Sequence, residues 1–124
     1  IKKIFLANKN KKKNIIIWGT GKPKRELLYV DDFADAVIFF LKKRIKEPFL
    51  NIGFGKDFTI KWYANFIIKK LNYDIKLKFD KKMPDGTKRK ILNIKLAKKY
   101  GWHPKTTLEK GFSITFADFL KNNS

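Results

Sequence analysis

Asn14-Ile15-Ile16-Ile17-Trp18 is a β-branched apolar run bounded by Asn and Gly, and it restricts the fold more than any other stretch of the chain. Such a run reads as a buried strand. Ile1 to about Lys9 ahead of it reads as the end of a helix, and Gly19 to Lys24 behind it as a turn. Leu27–Val30 suggests a second short strand. Asp31 or Asp32 is then placed to cap a helix with Ala34, Val37, Ile38 and Leu41 on one face. Lys42-Lys43-Arg44 follow, cations where the helix dipole favours them.

The alternation continues. Phe49–Ile52 reads as a strand closed by Gly53-Phe54-Gly55, and Thr59 opens a helix with Ile60, Tyr63, Ile67 and Leu71 at helical spacing. Ile75 to Phe79 alternates as a strand does. Asn93 is a candidate cap for a short helix ending at Gly101. Thr106 and Glu109 form a capping box for a last helix with Leu108, Phe112, Phe116 and Phe119 on its apolar stripe. Strands alternating with helices argue for an α/β fold, and 124 residues suffice for one core.

The formal charge is +19, and 27 of the 30 basic residues are Lys. This bias fits an AT-rich genome as readily as a nucleic-acid binder, and Lys is spread over nearly every segment. The one dense run, Lys9-Asn10-Lys11-Lys12-Lys13, reads as a solvated helix end. Nucleic-acid recognition ordinarily needs a reading motif beside the charge, and none is found, so no nucleic-acid partner is expected. The chain has no Cys, which excludes disulfides and thiolate sites within it. No apolar run reaches the roughly 18 residues of a membrane helix, and no membrane partner is expected. Neither Gly19-Thr20-Gly21 nor Gly53-Phe54-Gly55 extends to G-x-G-x-x-G, so both read as turns and not as a cofactor site. His103 lies between Trp102 and Pro104 with no partner in sequence, and no catalytic or metal role is assigned.

Two segments carry chemistry. Pro84-Asp85-Gly86-Thr87-Lys88-Arg89-Lys90-Ile91-Leu92 packs a turn, one carboxylate and a group of cations into a loop suited to an anionic, hydroxyl-rich ligand. Trp18-Gly19-Thr20-Gly21-Lys22-Pro23-Lys24-Arg25-Glu26-Leu27-Leu28-Tyr29-Val30-Asp31-Asp32 contains one of only three arginines, whose planar donor fork Lys cannot reproduce. On their own residues, Trp18 also suits a core aromatic, Arg25 a surface cation over a strand, and Asp85 an Asx turn.

These segments resemble the W-G-T-G-x-P-x-R-E-F-L-Y-V-D-D and P-D-G-T-P-R-K-L-L patterns of the GDP-L-fucose synthase family, within the extended short-chain dehydrogenases/reductases. Tyr100-Gly101-Trp102-His103-Pro104 and Thr107-Leu108-Glu109-Lys110-Gly111 extend the likeness toward the end of the chain. Lys88 stands for the usual Pro, Leu27 for Phe and Asn93 for Asp, and Trp62 stands where a capping-box Glu is common. The resemblance implies that residues 1–124 are a single C-terminal substrate-binding domain, a small sheet with flanking helices, with the Rossmann half and the true start upstream. It implies substrate contacts from Trp18, from Arg25 on the diphosphate, from Asp85, and from Lys3, fifteen residues before Trp18, with its neighbour Lys2 competing for that role. Arg89 and Lys90 would support them.

The implied activity is epimerisation of GDP-4-keto-6-deoxymannose at C3 and C5 followed by reduction of C4 with NADP held by the missing half, in a cytoplasmic enzyme that is a homodimer at full length. No Lys stands four residues after Tyr29, Tyr63, Tyr73 or Tyr100, so the family's Tyr-x-x-x-Lys pair is not in this chain, and alone it is expected to be inactive. It is also expected to expose apolar surface. The alternatives are the substrate domain of another NAD-dependent nucleotide-sugar epimerase or dehydratase, and, more remotely, a small basic nucleic-acid-binding module.

Overall fold

The computed structural model describes residues 1–123, an α/β chain of five helices and five strands among the described residues, in two compact units. Unit 1 is Ile1–Arg25 with Phe58–Lys90, and unit 2 is Glu26–Asp57 with Ile91–Ser124. The chain therefore changes unit after Arg25, Asp57 and Lys90.

In unit 1 the isoleucine run is β1 (Asn14–Trp18) and pairs in parallel with a strand at Lys76–Asp80, Ile15 opposite Leu77 and Trp18 opposite Asp80. Successive strand side chains point to opposite faces. Ile15 and Ile17 accordingly pack with Ile4 and Ala7 of helix α1 (Lys2–Lys9), with Ala64, Ile67 and Ile68 of a later helix, and with Ile75 and Leu77. Ile16 and Trp18 take the other face, where Trp18 is 67% exposed. This face of the sheet is open, against the reading of the whole run as buried.

Strand β2 is Lys24–Glu26, not Leu27–Val30. Two residues of the charged loop, Arg89–Lys90, form a short strand that pairs in parallel with Lys24 and Arg25 and so draws β2 upstream. Helix α2 (Val30–Leu41) starts directly afterwards with Tyr29 as its N-cap, leaving no room for the expected strand. Asp31 and Asp32 are thus inside the first turn of α2 and do not cap it. Strand β3 (Asp57–Thr59), not foreseen, completes a three-stranded sheet in the order β3, β2, Arg89–Lys90. Helix α3 (Ile60–Lys70) begins as expected at Thr59, whose Oγ1 accepts from the Trp62 N–H at 3.0 Å. Trp62 stacks on Phe58 at 4.0 Å and on Phe66 at 5.3 Å between ring centroids. The Lys76–Asp80 strand is β4 and Arg89–Lys90 is β5.

In unit 2 the packed face of α2 is the opposite of the expected one. Ala36 is fully buried with Ala97 and Trp102, and Phe39 and Phe40 lie against them, while Val37, Ile38 and Leu41 are exposed. The reason is Trp102, 2% exposed, whose indole N–H donates to Asp35 Oδ2 at 3.3 Å and pins that side inward. Phe49–Ile52 forms no strand, and Phe49 is 75% exposed. A strand needs a ladder partner, and the described residues supply none there.

Helix α4 (Lys95–Lys99) starts with Ile94 as N-cap, yet Asn93 still serves, its Oδ1 accepting from the Lys95 N–H at 3.1 Å. The last helix, α5 (Leu108–Asn123), is started by Thr107 and not by Thr106: Thr107 Oγ1 accepts from the Lys110 N–H at 3.2 Å. Thr106 is taken by Asp32, which receives its N–H and its hydroxyl, each at 2.9 Å. The stripe Leu108, Phe112, Phe116 and Phe119 is half-buried, its last three rings stacked in sequence.

Candidate functional site

The four predicted ligand residues, Lys3, Trp18, Arg25 and Asp85, all belong to unit 1, and hydrogen bonds bring Arg25 and Asp85 to the same charged loop. Lys3 in α1 donates through Nζ to the Ile16 carbonyl. Trp18 stands two residues further on, its side chain on the open face with that of Ile16 and opposite the face on which α1 packs. Gly19 and Thr20 follow, and here the charged loop is fastened: Asp85 Oδ1 accepts the Thr20 N–H at 2.7 Å and Oδ2 accepts the Thr20 hydroxyl at 2.6 Å. Arg25 fastens the other side of that loop, Nη1 donating to the carbonyls of Thr87 and Lys24, both at 2.7 Å.

The electrostatics follow from these bonds. The Thr20 hydroxyl and then the Thr20 N–H hold the Asp85 carboxyl below the usual Asp value, with Lys22 adding a smaller push in the same direction. Asp85 is therefore a carboxylate that ties one loop to another, not a local Asx turn. Each oxygen keeps a further lone pair toward solvent. Arg25 likewise satisfies two carbonyls through Nη1, while Nη2 and Nε carry the remaining three of its five donors. The Tyr63 hydroxyl donates to the Arg25 carbonyl at 3.0 Å and anchors the backbone beneath the guanidinium. Arg89 and Lys90, expected in support, are the β5 pairing partners of Lys24 and Arg25.

Both Gly-x-Gly turns are filled by the chain itself. A Cβ at Gly19 (φ +74°) would fall 2.1 Å from Asp85 Oδ1, and one at Gly21 (φ +71°) 2.3 Å from the Phe79 ring. In unit 2, Gly53 meets Glu26 and Gly55 meets Ile94 as closely. The missing side chains make room for neighbouring side chains of this chain, so these turns do not fit a dinucleotide cradle. Among the described residues no three His, Asp or Glu side chains gather as a metal site would, and no helix is long and apolar enough to cross a membrane.

Sequence reasoning missed Glu26, and took Asp32 for a possible helix cap where it binds Thr106. Glu26 accepts the Gly55 N–H through Oε1 and the Leu92 N–H through Oε2, the latter at 2.9 Å, holding three segments of unit 2 together. Glu26, Asp32 and Asp85 thus share one habit: each uses both oxygens on groups 29 to 74 residues away in sequence. Their signal was present in the R-E-x-x-Y-V-D-D and P-D-G-T segments, but nothing in the local sequence named the distant donors.

An α/β chain of small sheets with flanking helices is also what the comparison with solved structures finds. The family model "NAD dependent epimerase/dehydratase family" matches residues 2–53, and the chain belongs to that family, among the extended short-chain dehydrogenases/reductases. It is 39% identical over 116 residues to GDP-L-fucose synthase 1 of Arabidopsis thaliana, covering 94% of this chain and 36% of that protein. Identity is also 39% over 126 residues to GDP-L-colitose synthase of Yersinia pseudotuberculosis, 99% of this chain and 41% of that one. Among solved structures it resembles MlghC, the GDP-mannoheptose C4 reductase of Campylobacter jejuni with NADP bound, with a TM-score of 0.81 at 26% identity over 96% of this chain and 42% of that one. The chain spans about two-fifths or less of the length of these relatives.

Proposed function

We propose that this chain is the nucleotide-sugar-binding part of an NADP-dependent GDP-sugar epimerase-reductase of the GDP-L-fucose synthase type, a cytoplasmic homodimer when intact. The observation that carries the reading is the double fastening of the charged loop, Asp85 on Thr20 and Arg25 on Thr87, next to Trp18. The 39% identity to a GDP-L-fucose synthase over nearly the whole chain supports the substrate class.

On this reading Arg25 meets the diphosphate with Nη2 and Nε, a charge-assisted fork that Lys would not replace. Its Nη1 bonds fix the guanidinium before the ligand arrives, which lowers the cost of ordering it on binding. Trp18 offers a flat amphipathic ring to the base or sugar. Asp85 keeps the loop in place and turns its outer lone pairs to ligand hydroxyls or ring N–H groups, and Lys3 closes the end of the pocket beside β1. NADP, when bound elsewhere in the intact protein, supplies the hydride for the C4 reduction. No proton-transfer step is assigned to residues of this chain.

Calorimetry of GDP-sugar binding to the intact protein tests the assignment. Arg25→Ala is expected to weaken binding by about 2 kcal/mol, roughly thirtyfold, the scale of a lost charge-assisted bond. Trp18→Ala is expected to weaken it as well, and GDP- to be preferred over UDP-sugars. Unchanged binding in an Arg25→Ala protein that melts like the parent would end this reading, and a UDP preference would move the chain to another branch of the family.

A further inference from the structure

The fold sorts charge that the sequence spreads evenly. Unit 1 holds 19 of the 30 Lys and Arg residues against three carboxylates, and unit 2 holds 11 against eight, so unit 1 carries +16 of the net +19. The three carboxylates of unit 1 are each engaged: Asp74 pairs with Lys13 at 2.7 Å, Asp85 accepts from Thr20, and Asp80 accepts the Lys82 N–H at 3.1 Å. Every Lys of unit 1 is exposed. The candidate ligand residues all lie in this unit.

We infer that unit 1 is an electrostatic collector that speeds capture of a nucleoside diphosphate ligand, through lysines that never touch it. The inference rests on the reading of the site above. An excess of one sign summed over a surface raises the local concentration of opposite charge and can raise association rates ten- to a thousandfold. The Debye length is about 10 Å at 0.1 M salt and about 30 Å at 0.01 M, so lysines remote from the site contribute at low salt and fade as salt rises. The effect belongs to the association rate, whereas the short-range bonds of Arg25 set the dissociation rate.

Stopped-flow binding of mant-GDP to the intact protein, at about 10 mM and about 300 mM salt, tests this, with uncharged guanosine as a competitor at both. The association rate for mant-GDP is expected to fall roughly tenfold at the higher salt while guanosine competes equally at both. The combined Lys9→Gln, Lys12→Gln, Lys81→Gln variant is expected to slow low-salt association severalfold and leave dissociation unchanged. The combined Lys42→Gln, Lys110→Gln, Lys121→Gln variant in unit 2, with the same loss of charge, is expected to change it far less.

A salt-independent association rate would overturn the inference while leaving the proposed function intact. Equal slowing by the two triple variants would do the same, making net charge and not its sorting the cause. A short RNA that displaces mant-GDP more steeply with falling salt would overturn it by making a polymer the ligand. Absence of any mant-GDP binding would instead sink the functional reading itself.

Discussion

Asp85 and Asp32 place the same side chain in two settings, one exposed and one buried, and the difference decides what removing each would do. Asp85 is held below the usual carboxylate range by the Thr20 hydroxyl and N–H. A lowered folded-state value means the tie contributes fully above about pH 4, the ordinary Asp value, and is lost as pH falls through the lower folded value. The Thr20 amide resonance is therefore expected to titrate with a midpoint below that of a free Asp, and to stop titrating in that range in Asp85→Asn. Asp32 is 6% exposed and receives two hydrogen bonds from Thr106. Asp32→Ala is expected to destabilise the fold by about 1–3 kcal/mol, the scale of leaving the part-buried Thr106 donors without their acceptor. Urea unfolding of the two proteins checks it.

At the scale of elements, what was legible in sequence were features decided locally. The isoleucine run, the Thr59 cap and the spacing of the final Phe stripe each depend on neighbours within a turn or a strand, and β1, α3 and α5 appear where these signals stand. What was not legible was decided at a distance. β2 lies three residues upstream of its apolar signal because Arg89 and Lys90 pair with it. α2 turns its other side inward because Trp102 reaches Asp35, and its sequence is apolar around most of its circumference, so periodicity could not choose between faces. The same division holds for the site: Trp18, Arg25 and Asp85 were picked out by motif, but that Asp85 and Arg25 fasten one loop from two sides is a fact of long-range contacts. The Thr59 cap offers a measurable element-scale effect. Thr59→Ala is expected to lower stability by about 1 kcal/mol, and Thr59→Ser to restore most of it.

For the molecule as a whole, the exposed side of α2 is the feature that stands furthest from an ordinary protein surface. Val37, Ile38 and Leu41 lie exposed along it, and Phe49 is exposed in the same unit. Contiguous apolar surface of this kind marks a place where something else packs, in line with the expectation that this chain leaves such surface open. The 124-residue chain by itself is expected to enhance the fluorescence of an apolar dye such as ANS, and Leu41→Lys to reduce that signal without loss of helical circular dichroism. The three changes of unit, after residues 25, 57 and 90, have a separate consequence. Neither unit is a continuous stretch of polypeptide, so neither can be released by a single protease cut or cloned by simple truncation. One nick at any of these passages leaves two strands of covalent tether in place, and an engineer wishing to isolate the cationic unit would have to splice Arg25 to Phe58 with a new linker.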